Sequence, residues 1–546
     1  MSKKVFYDDD ARARVLGGAR ALYDAVKVTM GPKGRNVVIQ KSYGAPTISH
    51  DGVTVAEGIE LPEVDDETLG YKVGADLIKQ AASKMNKVAG DGTTTVTVLT
   101  YNILNEANRL IAAGHNPMEL RKGVEEAGAE VLKALEKMSE PVTGKKGRVA
   151  EVAAISAGDA SIGELIADVI DKVGASGVVT VEEGQGLKME SEVVEGFTFD
   201  RGYSSALMVT DVNRQEAEYK NPAIVITDKK ISSVAEISPL IERIAQSGKK
   251  DLVLIAEDVE GEALAMLVLN KLRGAFNTVA VKAPAFGDRR KETLQDIAVL
   301  TGATVISEDL GLTFENADLG VIGKARKVLV SKDATTIIEG GGSVADVANR
   351  VAQVREQAAH ASSEYDKEQY EKRAAALEGK VAVIKVGGAT ETEIEEKKYR
   401  VDDAVAATKA ALAEGIVAGG GVTLVNLSDG IVISGSDPEA AGRSIVKQAL
   451  LQPFRQLMVN AGLNAEALLA QVQGAKSGQG VNVMKPGKLV DLKTDGVVDP
   501  VAVTRQAIQN AVSIAATAMT MGALVVDVPK EESAPAGSGM PGGMGY

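Results

Sequence analysis

The chain turns on seven residues, Ala89-Gly90-Asp91-Gly92-Thr93-Thr94-Thr95. Upstream, Val73, Leu77, Ala81, Met85 and Val88 recur every three or four positions and mark one face of a helix. Downstream, Val96, Leu99, Ile103, Ala107, Leu110 and Ile111 mark another. The Gly-Asp-Gly break ends the first helix and opens the second. The second helix thus begins with three hydroxyls behind a glycine loop, and its unpaired amides and positive dipole end suit phosphate. Asp91 adds a carboxylate that a magnesium ion can share with phosphate oxygens. Asp and Thr are also ordinary caps. By itself the motif leaves a plain cap as the commoner reading, and the neighbouring segments must decide.

Toward the N-terminus, residues 11–28 read as a helix that stops at Thr29-Met30-Gly31-Pro32-Lys33-Gly34. Asn36–Gln40 and Thr47–Ser49 read as a hairpin turning at Tyr43-Gly44-Ala45-Pro46, followed by His50-Asp51-Gly52. Its ends are either plain punctuation or a second wall of a phosphate site. Toward the C-terminus, residues 117–137 and 160–173 are helical, and 141–147 is a polar break. Between about 195 and 310, strands near 224–226, 252–255, 279–281 and 305–306 alternate with helices near 233–246, 260–273 and 291–301, which is βαβ texture. That region has neither a dinucleotide fingerprint nor a Walker-type loop, so it is not the expected nucleotide binder. The window Glu262–Leu272 is apolar around most of its circumference. It is either a helix buried on both sides or one that shows a stripe to solvent. Two charged helices over 351–377, joined near Ser362-Ser363, precede a strand at 381–386. A helix through Asp403 then ends at Gly419-Gly420-Gly421, where consecutive glycines allow close backbone approach. Further helices are expected at 442–461 and 500–523.

Composition bounds the function. The 546 residues exceed one ordinary core, so several domains are expected. There is no Cys, which excludes disulfides and thiolate chemistry, and with three His no His-rich metal site is expected. A net charge of −14 disfavours nucleic acid and anionic lipid as partners. The window Ala511–Val528 is interrupted by Ser513, Thr517, Thr520 and Asp527 and reads as a small-residue packing helix, so no membrane association is expected. The N-terminus does not read as a secretory signal, and Glu531–Tyr546 reads as a disordered Gly/Met tail.

Val28–Asn36, Ala89–Thr95, Ile255–Leu264, Phe286–Lys291, Ala418–Gly421 and the Gly/Met tail together resemble the group I chaperonins of the bacterial GroEL type, in order and over nearly the whole chain. The resemblance implies a multidomain α/β and α fold. A helical equatorial ATP-binding domain (1–137 and 414–546) is joined by a small α/β intermediate hinge domain (138–194 and 382–413) to a layered α/β apical domain (195–381). It further implies a cytoplasmic ATPase that encloses non-native polypeptides, works with a ring co-chaperonin lid of the ten-kilodalton type, and forms a homo-oligomer of one or two heptameric rings.

The same resemblance assigns residues. Asp403 and Asp51 are the expected catalytic carboxylates. ATP contacts are expected from Thr29, Met30, Gly31, Pro32, His50, Asp91, Gly92, Thr93, Thr94, Thr95, Ile155, Ser156, Gly419, Gly420, Asn482, Val483, Met484, Val497 and Asp499. Asp91 is the expected Mg2+ ligand, and Thr29 and Thr94 are the expected K+ ligands. Tyr203, Leu207, Met208, Ser238, Ile241, Leu264, Val268 and Leu269 are the expected groove for clients and co-chaperonin, and Arg201 is expected to pair with Glu391 of another subunit. The chain departs from the family pattern at His50 (usually Lys), Ser238 (usually Leu), Val481 (commonly Tyr) and Asn464 (usually a Glu that pairs between rings with the position of Arg455). Two other readings predict different behaviour. A holding-only paralogue would lack turnover, and a small-molecule phosphotransferase would lack an apolar rim.

Overall fold

The two ends of the chain close into one unit, Met1–Pro141 with Ala413–Tyr546, and Val142–Leu412 forms a second. The computed structural model describes residues 3–40, 46–63, 65–174, 177–184, 186–212, 214–361, 363–435 and 438–528. The expected turn at Tyr43-Gly44-Ala45, the joint residue Ser362 and the Gly/Met tail lie outside the described residues.

The first unit is helical. The helices Tyr71–Ala89 and Thr93–Ala112 stand where the apolar spacing places them, and the break between them has a steric cause. Gly90 closes the first helix at φ 65° and Gly92 opens the second at φ 81°, a left-handed backbone that a Cβ opposes. Thr97 and Thr100 are fully buried on the second helix, and their hydroxyls donate to the carbonyls of Thr93 (2.9 Å) and Val96 (2.7 Å). The helix Val501–Ala518 packs on this pair through small buried residues such as Ala507, Ala511 and Ala515.

Two expectations are corrected in this unit, and one helix is added. The apolar window after Ala511 is not one helix: it stops at Ala518 and resumes as the strand Ala523–Asp527, which pairs antiparallel with Lys3–Tyr7. The window 442–461 is two helices, Pro438–Ala449 and Gln452–Asn460, with Pro453 in the first turn of the second, where its missing N–H costs nothing. Ala465–Gln473 is a further helix, capped by Asn464.

The second unit is built on a nine-stranded sheet. Ala223–Ile226, Asp251–Ala256 and Asn277–Lys282 are parallel neighbours, as expected from βαβ texture. The rest is mostly antiparallel. Gly323–Val330 pairs Ala223–Ile226, then come Thr335–Gly340, Glu190–Phe199 and Lys380–Val386 in antiparallel succession, and Val178–Glu183 closes the row in parallel. Residues 305–306 form no strand; Ile306 makes a single bridge to Thr227. Apolar side chains in this unit fall into separate clusters. A large one lies around Ile224, Leu254, Val279 and Ile297, and another joins Val149, Ala153 and Ile166 to Ile384, Val401 and Ala404.

Candidate functional site

In the first unit, segments far apart in sequence meet at the start of the helix Thr93–Ala112. Gly92 is its N-cap and no side chain caps it, so the first amides keep their donor capacity. Gly52 lies against this helix start: a methyl there would stand 2.5 Å from Thr94 Oγ1 and 2.8 Å from Thr93 Oγ1. Asp51 caps the short helix Gly52–Glu57, accepting from the amides of Val53 (3.3 Å) and Thr54 (2.8 Å) and from the Thr54 hydroxyl (2.6 Å). Thr29 Oγ1 lies 3.2 Å from Thr94 Oγ1 and donates to the Val26 carbonyl at 2.9 Å. His50 reaches the same turn, its Cε1 2.8 Å from where a Gly34 methyl would sit.

The turn carrying Gly31 and Pro32 is held from behind. Gly34 donates to the Gly31 carbonyl at 2.8 Å and Arg35 to the Val28 carbonyl at 2.8 Å. The Asn460 amide donates to the carbonyls of Lys27 (3.0 Å) and Met30 (2.9 Å). Sequence reasoning missed Asn460, because its partners lie more than 400 residues away and nothing in its own helix marks it. Met30 is buried in the core at 5% exposure, so its side chain is not on offer to a ligand.

The C-terminal wall is a short ladder, Ile416–Ala418 antiparallel to Val498–Pro500, in which Val417 faces Asp499. A methyl at Gly419 would stand 3.0 Å from Asp499 Oδ1, and the Gly419 amide donates to the Val497 carbonyl at 2.9 Å. Burial pushes the Asp499 carboxyl up to about 7, and the charge on Asp91 adds to the push. The two carboxylates therefore share one environment, which ties this wall to the glycine-threonine loop. Val481, Val483 and Val497 belong to one apolar cluster with Ala418 and Leu492, and Gly420 borders it, with Leu492 3.4 Å from where its methyl would be. Asn482 is engaged with Asp495 and accepts from the Met484 amide at 2.9 Å, and Met484 is exposed.

Ile155, Ser156 and Asp403 lie in the second unit. Ile155 is exposed and Ser156 half-buried on the last turn of the helix Lys146–Ala157, which sequence reading left unassigned. Asp403 is half-buried on the long helix Glu391–Glu414, flanked by the core residues Val401, Ala404 and Val405.

The expected groove is a mixture of rim and core. Leu207 is 58% and Leu269 45% exposed, while Tyr203, Ile241 and Leu264 are half-buried against the large core cluster. Leu272, unassigned from sequence, extends the apolar patch of the helix Gly261–Leu272 at 66% exposure. Met208 and Val268 are corrected. At 0% and 9% exposure they are core residues, because they sit on the inward side of the same segments. Ser238 turns its hydroxyl back onto the Val234 carbonyl at 2.8 Å, which spares the groove an unpaired donor. Arg201 donates to the Asp200 carbonyl at 2.9 Å and stacks over the Phe286 ring. Among the described residues no group of three His, Cys, Asp or Glu converges as a metal cluster, and no helix is long and apolar enough to cross a membrane.

Glycines and threonines thus gather at one helix start in the first unit, and the second unit exposes Leu207, Leu269 and Leu272. Residues 22–529 match the model of the TCP-1/cpn60 chaperonin family. The chain belongs to that family and is a protein-folding chaperone, of a class whose substrates are polypeptides and whose subunits assemble into rings.

Proposed function

We propose that this chain is an ATP-driven chaperonin of the group I type, in which ATP binding and hydrolysis at the pocket made by the two chain ends drive encapsulation of non-native polypeptides under a co-chaperonin lid. The observation that carries this is the meeting of Thr29, Gly52, Asp91, Thr93, Thr94 and Asp499 around one helix start. The residues fit the groups expected there. Uncapped amides and threonine hydroxyls suit phosphate oxygens. Asp91 would hold Mg2+, and the adjacent Thr29 and Thr94 hydroxyls would hold K+. These cations neutralise phosphate charge. Asp499, which carries a proton more readily than a free carboxylate, would bind sugar hydroxyls, and Gly419 and Gly420 let a nucleotide approach the backbone. By family likeness, Asp403 would orient and deprotonate the attacking water, and Asp51 would be a second carboxylate for that step.

We assign an apical body (195–381) and an intermediate one (138–194 with 382–413), mostly within Val142–Leu412; the largest apolar cluster falls in the first and another in the second, with a small cluster of Ile338, Val381 and Val383 where they join. The exposed part of the rim, Leu207, Leu269 and Leu272, would bind apolar surface on unfolded chains with little sequence preference. We assign heptameric rings by family likeness. Arg455 is already taken by Glu466 at 2.7 and 3.1 Å within its own chain, and Asn464 is spent as a helix cap. A second ring would therefore need contacts other than an Arg455 pair. The test measures ATP turnover and suppression of aggregation of an unfolded protein, with and without the co-chaperonin, and native mass for ring number. Turnover without aggregation suppression, or the reverse, would overturn the reading.

A further inference from the structure

The strongest unassigned feature is a cluster of charges beside Asp403. On the long helix Glu391–Glu414, Asp402 pairs with the guanidinium of Arg214. Arg214 also stands 3.9 Å from Asp211, and its amide donates to the Asp211 carboxylate at 3.1 Å. Glu216 lies close enough to feel the charge of the same guanidinium, as Asp402 feels Lys398, Tyr399 feels Arg214 and Lys409 feels Glu216 and Asp402. Three carboxylates from two segments therefore converge on one arginine. Burial pushes Asp402 up to about 6 in spite of Arg214, and it pushes Glu216 up as well. Removing the arginine leaves carboxylates facing one another in a dry place, a far larger change than losing a surface pair.

The arginine is attached at its other end to the client-binding rim. Asp211 and Glu216 exchange backbone hydrogen bonds at 2.9 and 3.1 Å. The single 3-10 turn Ala206–Met208 and its cap Val209 precede them, and the carbonyls of Leu207 and Val209 accept from Lys271 Nζ, at 3.3 Å for Leu207. Lys271 belongs to the helix Gly261–Leu272, which displays Leu269 and Leu272. The rim helix holds residues 207–209 through Lys271, the backbone continues from there to Asp211, and Asp211 contacts Arg214, which pairs with Asp402, the neighbour of Asp403. Contiguity of this kind becomes coupling only if both ends bias it.

We propose that Arg214 is a positioning residue for ATP hydrolysis, transmitting client capture at the rim to Asp403 through its ion pair with Asp402. This rests on the reading of Asp403 as the hydrolytic carboxylate. Client chain pulling on the rim helix shifts residues 207–209, moves the guanidinium and turns the long helix that carries Asp403.

The test measures steady-state ATP turnover of the assembled protein with and without a reduced, permanently unfolded protein as client. Wild type should change its kcat at least about twofold on adding client, within the roughly two- to thirty-fold range of such couplings. In Arg214→Ala and in Asp402→Asn this response should vanish while KM for ATP and client affinity hold. The double variant should be no worse than either single one, and Arg214→Lys, which keeps a cation, should regain part of the response. A client response that persists in Arg214→Ala, single effects that add in the double variant, or a wild type without any response would each overturn the proposal. The two readings fail separately. Turnover that survives in Asp403→Ala sinks the assignment of Asp403, whereas a dead Asp403→Ala beside a client-responsive Arg214→Ala sinks only the link through Arg214.

Discussion

At the scale of single residues, the pocket is made by side chains that are absent as much as by those present. Gly52 is the clearest case, because a methyl there has nowhere to go except into the Thr93 and Thr94 hydroxyls. Gly52→Ala should raise the ATP dissociation constant about tenfold, equivalent to ~1.4 kcal/mol, with the fold retained; calorimetric titration checks this, and unchanged affinity would remove Gly52 from the pocket. Asp499 gives a second test through pH. Its carboxyl is raised from the ordinary 3.8 to about 7, so the folded chain holds a proton that the unfolded chain has released. Its contribution to stability is present at low pH and is lost as pH climbs through that window, at a cost of roughly 2–4 kcal/mol once both states are ionised. Asp499→Asn stays neutral and escapes this cost. The melting-temperature advantage of the asparagine variant should therefore grow between about pH 5 and about pH 8, and an equal advantage at both would show that Asp499 is not held protonated. A carboxylate kept at such a cost is what a binding site, rather than a stable core, retains.

At the scale of elements, neighbouring residues of one helix have opposite fates. On Gly261–Leu272, Val268 faces the core and Leu269 faces out. Val268→Glu should bury an unpaired charge and cost several kcal/mol, seen as loss of the cooperative melt. Leu269→Glu with Leu207→Glu should leave stability within about 1 kcal/mol yet abolish capture of an unfolded protein, with ATP turnover spared. Capture that survives the exposed pair would move the client site elsewhere. The sequence alone left this helix open between buried and displayed, because the eight apolar residues among the eleven of Glu262–Leu272 leave no polar face from which to read a direction. Elements with strong local causes were legible. The helices on either side of Gly90-Asp91-Gly92 follow from spacing and two left-handed glycines, and the three parallel strands follow from apolar runs between helices. Elements whose cause is distant were not. Ile416–Ala418 is a strand because Val498–Pro500 lies beside it, and Glu190–Phe199 holds its place through two antiparallel neighbours more than 130 residues on. The pocket was legible in the same measure. Loop residues such as Asp91 and Thr94 announce themselves, whereas the Asn460 clamp and the Arg214–Asp402 pair exist only once the chain has folded.

At the scale of the whole molecule, the two units divide the labour: one gathers the phosphate-type residues, and the other carries both the apolar rim and Asp403. If, as proposed, one unit binds the nucleotide and hydrolysis needs Asp403, residues of different units serve binding and hydrolysis, and the two events become separable by substitution. Asp403→Ala should separate them. The substitution removes a half-buried carboxylate on the flank of a helix whose inward face, Val401, Ala404 and Val405, is untouched, so the fold should persist. ATP affinity should stay within about twofold of wild type, because the residues gathered at the helix start remain, while kcat falls by roughly 10²–10⁴, the range for loss of a positioned base. The variant should therefore accumulate in its ATP-bound form. In the presence of ATP and co-chaperonin it should hold captured client in a long-lived complex, visible by native mass as assembly, lid and client together, where wild type releases it. Turnover near the wild-type rate would show that the second unit supplies no hydrolytic group. Loss of ATP binding would show instead that Asp403 serves nucleotide binding rather than the hydrolytic step.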